Sequence, residues 1–194
     1  MKSWTQKKLV TLAMLAGLSV VLMYLVHFPI IPGVTFLEYD MADVPILIGT
    51  FLFGPASGLV LTALVAVIQG VTVSAGSGWI GILMHFIATG TFVLVSGLIY
   101  KRFASRKGAV WGLVAGSLSM TAVMIPLNLI FTVIFMGVPQ EAVVAMLLPA
   151  IIPFNLIKAG INSVLTFFVY KPVSKMMRLE QKEVARPVGA QKNA

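Results

Sequence analysis

Long apolar segments with almost no charge are the feature that most constrains this chain. They are Leu9–Phe28, Ala56–Val73, Trp79–Tyr100, Ala109–Met136 and a last one from about Val143 to Tyr170. A helix needs about 20 apolar residues to cross a bilayer. Only 10% of the 194 residues are charged, whereas a soluble domain has about 25%. A water-soluble globule is therefore excluded.

A shorter apolar segment, Val44–Phe53, follows the first long one and would form roughly 15 Å of helix. It ends at Gly54-Pro55, which predicts a tight turn into the next helix. The sequence thus predicts an all-α membrane protein with six transmembrane helices in one bundle, the second of them short. Residues 1–178 are predicted to form this single domain, and the polar stretch 179–194 a disordered cytoplasmic tail.

The basic residues form three clusters that are separated from the loop acids. The clusters are Lys2, Lys7 and Lys8; Lys101, Arg102, Arg106 and Lys107; and Lys171, Lys175, Arg178, Lys182, Arg186 and Lys192. Cytoplasmic loops are enriched in lysine and arginine, so all three clusters and both termini are predicted to be cytoplasmic. The four loop acids, Glu38, Asp40, Asp43 and Glu141, are then predicted outside.

The residue types that this chain lacks exclude several kinds of site. It has no cysteine, and His27 and His85 are its only histidines, so neither a metal site nor an acid/base enzyme is expected. No basic cluster has the interleaved aromatic residues of a nucleic-acid surface. The stretch Gly76-Ser-Gly-Trp-Ile-Gly81 matches the dinucleotide fingerprint, but that fingerprint requires a preceding strand. We interpret it as a glycine cluster between two helices.

Lys158 is the one basic residue inside an apolar segment. A charge there costs several kcal/mol unless it is paired or hydrated, which makes the residue a candidate for function; the alternative is a lysine that extends to the membrane interface. Asn155 and Asn162 lie three residues before and four after, on the same helical face. We interpret Asn155 and Lys158 as ligand-binding, and Asn162 as a contact between helices.

Polar residues of other spans are predicted at a similar depth, on the side away from the basic clusters. Asn128 lies in the outer part of the fifth span, His85 follows the outer start of the fourth, and Gln69 is near the outer end of the third. This shared level predicts a pocket that opens outward. For His85 and Gln69 individually, pocket contact and helix packing both remain open.

The first outer loop adds Phe36, Leu37 and Tyr39 to the same side. Phe36 and Tyr39 could stack on a planar ligand; interfacial anchoring is the alternative. Asp40 and Asp43 are three residues apart, which alone would fit a metal. We interpret Asp43 instead as the N-cap of the short second helix.

The first outer loop reads Phe36-Leu-Glu-Tyr-Asp-Met-Ala-Asp-Val-Pro45 and leads into Phe53-Gly-Pro-Ala-Ser-Gly58. This segment resembles the substrate-binding S components of energy-coupling factor (ECF) vitamin transporters, and the resemblance covers about residues 5–175. Ile125-Pro-Leu-Asn128 and Pro153-Phe-Asn-Leu-Ile-Lys158 are similar to ligand-contacting helices of the riboflavin-specific member.

This resemblance implies a six-helix bundle in a prokaryotic cell membrane that holds one riboflavin in an outward-facing site, with no cofactor of its own. A membrane scaffold (T) subunit and two ATPases would complete the transporter. The polar ligand contacts would come from Asn128, Asn155 and Lys158, and Phe36, Leu37 and Tyr39 would cover the ring. Ala13 and Gly17 stand where the family has Ala-xxx-Ala for docking the scaffold; Gly17 departs from that pattern but keeps a small surface.

Other functions remain as alternatives. Lys158 also suits an anion, so pantothenate, folate and thiamine pyrophosphate-like ligands stay open. A stand-alone secondary transporter usually has inverted repeats with broken helices, and an intramembrane enzyme needs a nucleophile with a positioned base. The sequence favours neither, because it has no visible repeat and only one histidine at a suitable depth.

Overall fold

The computed structural model describes the backbone of residues 6–184 and the side chains of residues 6–175. Within this range the chain is almost entirely helical. The elements are α1 (Gln6–Leu25), β1 (His27–Pro29), β2 (Glu38–Asp40), α2 (Asp43–Phe53), α3 (Pro55–Val71), a 3₁₀ turn (Ala75–Ser77), α4 (Gly78–Arg102), α5 (Arg106–Leu127), α6 (Val133–Met136), α7 (Gln140–Met146) and α8 (Ile152–Val184). Two π-helical turns, Asn128–Thr132 and Leu147–Ile151, connect α5 to α6 and α7 to α8.

Four helical stretches are long and apolar enough to cross a membrane. They are Gln6–Leu25, Ala75–Arg102, Arg106–Met136 and Gln140–Lys175. The two shorter apolar helices, α2 and α3, have 11 and 17 residues. The six helical segments therefore fit the predicted membrane bundle with a short second helix.

The short helix α2 is buried on all sides in the centre of the bundle. Ile46 and Leu47 have no exposed surface, and α2 contacts α1, α3, α4 and α8. A helix that is apolar on every face is stable only when other helices surround it. Gly54 ends α2 with φ of 91°, a value that glycine adopts readily, and Pro55 opens α3. The predicted Gly-Pro turn is confirmed.

A small hairpin after α1 corrects the predicted end of the first span. The first span was predicted to reach Phe28, but α1 ends at Leu25, and His27–Pro29 pairs antiparallel with Glu38–Asp40. Pro29 gives the physical reason, because a residue before proline is sterically driven from the helical to the extended conformation. Apart from this short hairpin, the described elements are helical, as predicted.

The end of the bundle that carries the basic clusters is identified by aromatic contacts. Phe51 near the end of α2 lies 4.6 Å from Tyr100 and 5.3 Å from Tyr170, measured between ring centroids. The Lys8 Nζ atom lies 5.7 Å from the centre of the Phe53 ring. The start of α1, the α4–α5 turn and this part of α8 therefore share one end, and so do the described members of all three basic clusters.

The domain boundary at residue 178 and the disordered tail from residue 179 stay predictions. The helix α8 continues to Val184. Its last turns contain Met, Arg, Leu, Glu, Gln and Lys, all of which favour helix. The rest of the predicted tail, 185–194, and the first five residues lie outside the described part of the chain.

Candidate functional site

A cavity of about 590 Å³ lies at the end of the bundle opposite the basic clusters. It is lined by the hairpin loop, the end of α3, the start of α4, the π-turn region after α5, and α8. The helices α4 and α5 run between the cavity and the basic end. The volume falls within the range of about 300–1,000 Å³ that is typical of small-molecule sites.

Six of the eight predicted ligand residues line this cavity. They are Phe36, Leu37, Gln69, His85, Asn128 and Lys158. Tyr39 and Asn155 are not among the lining residues. The Tyr39 hydroxyl donates to Asn162 Oδ1 at 3.0 Å, and Asn155 Nδ2 donates to the Ile151 carbonyl oxygen at 2.7 Å. Ligand contact by any of the eight stays a prediction.

The buried Lys158 is paired with an acid of the first loop. Its Nζ donates to Asp40 Oδ2 at 2.7 Å, and the two side chains are 9% and 0% exposed. Gln69 Nε2 donates to the same oxygen at 3.3 Å, and the Ala42 backbone N–H donates to Asp40 Oδ1 at 3.0 Å. Lys158 therefore does not extend to an interface, and Asp40 connects the hairpin to both α3 and α8.

The surroundings of Asp40 keep its carboxyl group ionised. Burial by itself raises the pKa of this group, but the charges of Lys158 and His85 and hydrogen bonds from Lys158 and Ala42 outweigh burial and lower the pKa to about 2. Asp40 is thus an anion at neutral pH, although its side chain has no exposed surface. Asp40 does lie in the first loop, as predicted, but this loop folds back between the helices, where Asp40 contacts α3 and α8.

Asp43 is not the N-cap that the sequence predicted. It is the first residue of α2, the capping position is Ala42, and no side chain caps the helix. The carboxylate accepts hydrogen bonds from Thr89 Oγ1 at 2.9 Å and from Asn162 Nδ2 at 3.2 Å. The physical reason is that both carboxylate oxygens of Asp43 already accept hydrogen bonds from α4 and α8, so neither is available to cap the backbone N–H groups of α2. Asn162 joins helices, as interpreted.

The π-turn that follows α5 positions two polar side chains at the cavity. Asn128 and Thr132 are four residues apart, both line the cavity, and Thr132 Oγ1 donates to Asn128 Oδ1 at 2.8 Å. Asn128 Nδ2 donates to the Met124 carbonyl oxygen at 2.8 Å. Pro126 lies just before the turn and lacks an N–H, which loosens the regular helix. Such π-turns occur frequently at functional sites.

Two cavity-lining residues have a buried polar atom without a partner in the described part of the chain. These atoms are Gln69 Oε1 and His85 Nε2. An unpaired buried polar group costs about 1–3 kcal/mol. Both side chains therefore have an unused hydrogen-bonding atom at the cavity.

Sequence reasoning missed Asp40, Glu38 and Thr132 as members of the site. A lysine inside a membrane segment requires a counter-charge, and this rule alone was a signal for an acid such as Asp40. Glu38 lines the cavity, with its Oε2 3.0 Å from His27 Nε2. This contact depends on the hairpin, which the sequence did not predict.

Comparison with known families decides what kind of protein this is. The family model for the substrate-specific component of ECF transporters matches residues 7–170. The chain belongs to this family. The S component is consequently a membrane transport protein and not an enzyme.

The S component is similar to several named proteins. It is 32% identical to the riboflavin transporter FmnP of Bacillus subtilis over 184 residues, which is 89% of this chain and 96% of the relative. It is 30% identical to riboflavin transporter RibU of Staphylococcus aureus, over 89% of this chain and 93% of the relative. The match to RibU of Lactococcus lactis is 32% identical and spans only 62% of that protein and 64% of this chain.

A solved structure shares the fold. The S component of a bacterial ECF transporter superposes with a TM-score of 0.76 at 30% identity. The match covers 88% of this chain and 97% of the solved chain. The overall fold is therefore that of a known S component.

Proposed function

We propose that this S component is the riboflavin-binding subunit of an ATP-driven ECF importer. The observation that carries the proposal is a ligand-sized cavity, lined by six predicted ligand residues, in a chain whose long relatives are named riboflavin transporters. Its task is binding, so it needs no cofactor; riboflavin is the cargo.

The chemistry of the cavity suits a planar amphipathic molecule. Apolar walls come from residues such as Leu37, Met84 and Phe154, and polar groups from Asn128 and Lys158. An asparagine amide offers both a donor and an acceptor to a uracil-like ring edge, and lysine donates to carbonyl or hydroxyl oxygens. We propose that the unpaired polar atoms of Gln69 and His85 bind the ligand as well.

The remaining predicted contacts belong to the same proposal. Phe36 and Leu37 would cover the ring from the hairpin loop. Tyr39 and Asn155 would support the site from just outside the cavity lining, or contact the ligand after a small side-chain rotation. For Tyr39 the hydrogen bond to Asn162 favours the supporting role.

The charge distribution and α1 support the proposed orientation and partners. With the basic end cytoplasmic, both termini lie inside, and the cavity opens to the outside of a prokaryotic cell membrane that the chain crosses several times. A scaffold (T) subunit and two ATPases would complete the importer. Ala13 and Gly17 are exposed on α1, and a Cβ atom at Gly17 would meet no atom within 4 Å. This small surface is suited to close helix docking.

Flavin fluorescence tests the proposal directly. The purified protein should quench riboflavin emission with a stoichiometry of one, and the Lys158→Met variant should bind at least about tenfold more weakly, a loss of about 1.4 kcal/mol. Lys171→Met is the matched control, because Lys171 is an exposed lysine 13 residues further along α8. Its affinity should equal that of the wild type.

Two outcomes would contradict the proposal. One is unchanged emission and unchanged melting temperature at saturating riboflavin. The other is a different vitamin found by mass spectrometry of the small molecule that co-purifies with the protein. Pantothenate or folate in that experiment would point to another S component; uptake by vesicles without an ATPase would point to a secondary transporter.

A further inference from the structure

The charged side chains that line the cavity are mostly acidic. They are Glu38, Asp40 and Lys158. The ammonium group of Lys158 lies 2.7 Å from the Asp40 carboxylate, so its positive charge is already balanced. The cavity therefore presents Lys158 as a hydrogen-bond donor rather than as a free cation.

The groups around this pair add negative charge. Asp43 is fully buried and shares Asn162 with Asp40, since Asn162 Nδ2 lies 3.2 Å from Asp43 Oδ2 and 3.4 Å from the Asp40 carbonyl oxygen. Glu38 at the cavity has His27 as its neighbour, with 3.0 Å between Nε2 and Oε2. Glu38, Asp40 and Asp43 thus give the site and its surroundings three carboxylates for one lysine.

An anionic ligand would meet this site without a free positive partner. A phosphate monoester carries about −1.5 to −2 charges at pH 7, and a buried charge is costly unless it is paired. An uncharged ligand of the same shape avoids that cost and still receives hydrogen bonds from Lys158 and Asn128. The difference in affinity between the two ligands would then come from their charge and not from the volume of the cavity.

We propose that Asp40 and Glu38 are specificity-determining residues that favour uncharged riboflavin over its 5′-phosphate ester. The proposal rests on the proposed function, since it concerns the same cavity. Asp40 acts by neutralising Lys158, which would otherwise attract a phosphate. Glu38 acts by direct repulsion from the hairpin side of the cavity.

Binding of riboflavin and of flavin mononucleotide should be measured by fluorescence quenching at one salt concentration. The wild type should bind the phosphate ester roughly a hundredfold more weakly than riboflavin. In Glu38→Gln the Kd of the phosphate ester divided by the Kd of riboflavin should decrease by about tenfold, as expected for removing one like charge near the ligand. Glu141→Gln is the matched control: Glu141 is an exposed acid at the start of α7, outside the cavity lining, and the ratio should not change.

Asp40→Asn tests the second residue. It should weaken riboflavin binding but strengthen binding of the phosphate ester relative to riboflavin, because Lys158 then becomes a free cation. A merely structural role would weaken both ligands by the same factor. Should Asp40→Asn fail to fold, Glu38→Gln alone decides the direct effect.

The inference is overturned in two ways. The first is equal wild-type affinity for the two flavins while riboflavin still binds tightly, which leaves the proposed function intact. The second is a ratio that neither Glu38→Gln nor a folded Asp40→Asn changes. Failure of riboflavin itself to bind removes the proposed function and this inference with it.

Discussion

The ion pair between Lys158 and Asp40 should be a major determinant of the stability of the ligand-free protein. In Lys158→Met, the Asp40 carboxylate keeps the hydrogen bonds from Gln69 and Ala42 but loses its only cationic hydrogen-bond partner in the described chain. Removing one partner of a buried ion pair costs about 3–5 kcal/mol. For a chain of this size about 1 kcal/mol shifts the melting temperature by roughly 2–4 °C, so we expect a decrease of about 6–20 °C.

The double variant Asp40→Asn/Lys158→Met separates the ion pair from simple loss of contacts. Replacing both members of a buried pair by neutral groups is often nearly neutral for stability. The double variant should therefore be more stable than the sum of the two single variants predicts, with a coupling energy of about 1–3 kcal/mol.

The assay is thermal unfolding of the purified protein in detergent without ligand, followed by tryptophan fluorescence. Lys171→Met serves as the control on the same helix, and its melting temperature should stay within about 2 °C of the wild type, as for most surface substitutions. Two results would refute the reasoning: a Lys158→Met variant as stable as the control, or strictly additive effects in the double variant.

Three further predictions concern packing, pH and ligand. Gly116→Ala should destabilise the protein by about 1–3 kcal/mol, because its Cβ would lie 2.6 Å from Phe92 Cδ2; Gly17→Ala, with no atom within 4 Å, is the control in the same melting assay. The pKa of Asp40 is lowered from 3.8 to about 2, so its stabilising contribution is complete above about pH 4 and disappears as the pH falls through about 2. As the pH falls through this range, the melting temperature of the wild type should decrease more than that of Lys158→Met. An equal decrease in both proteins would contradict the assignment of this pKa to Asp40. Riboflavin at a hundredfold excess over Kd should stabilise the wild type by about 2.7 kcal/mol, and no shift of the melting temperature would argue against binding.

The bundle itself could be predicted because membrane spans are local features. Lipid demands apolar segments of a given length, so the runs that end at Tyr100 and Tyr170 could be recognised without any tertiary contact. Gly54-Pro55 determines its own turn for a similar reason, since glycine permits a positive φ and proline opens a helix. The common level of Gln69, His85, Asn128 and Lys158 followed from counting residues along the spans, and these four do line one cavity.

Contacts between distant residues were decided only by the tertiary structure. Lys158 and Asp40 are 118 positions apart, and Tyr39 and Asn162 are 123 apart. Nothing in the local sequence says which acid balances the lysine, or that Tyr39 faces a neighbouring helix rather than the cavity. A hydrogen bond depends on positions within a few tenths of an ångström, which are set by the packing of all helices together. Sequence periodicity specifies only the depth and the face of a residue, and therefore the partner of a buried charge is known only once the chain has folded.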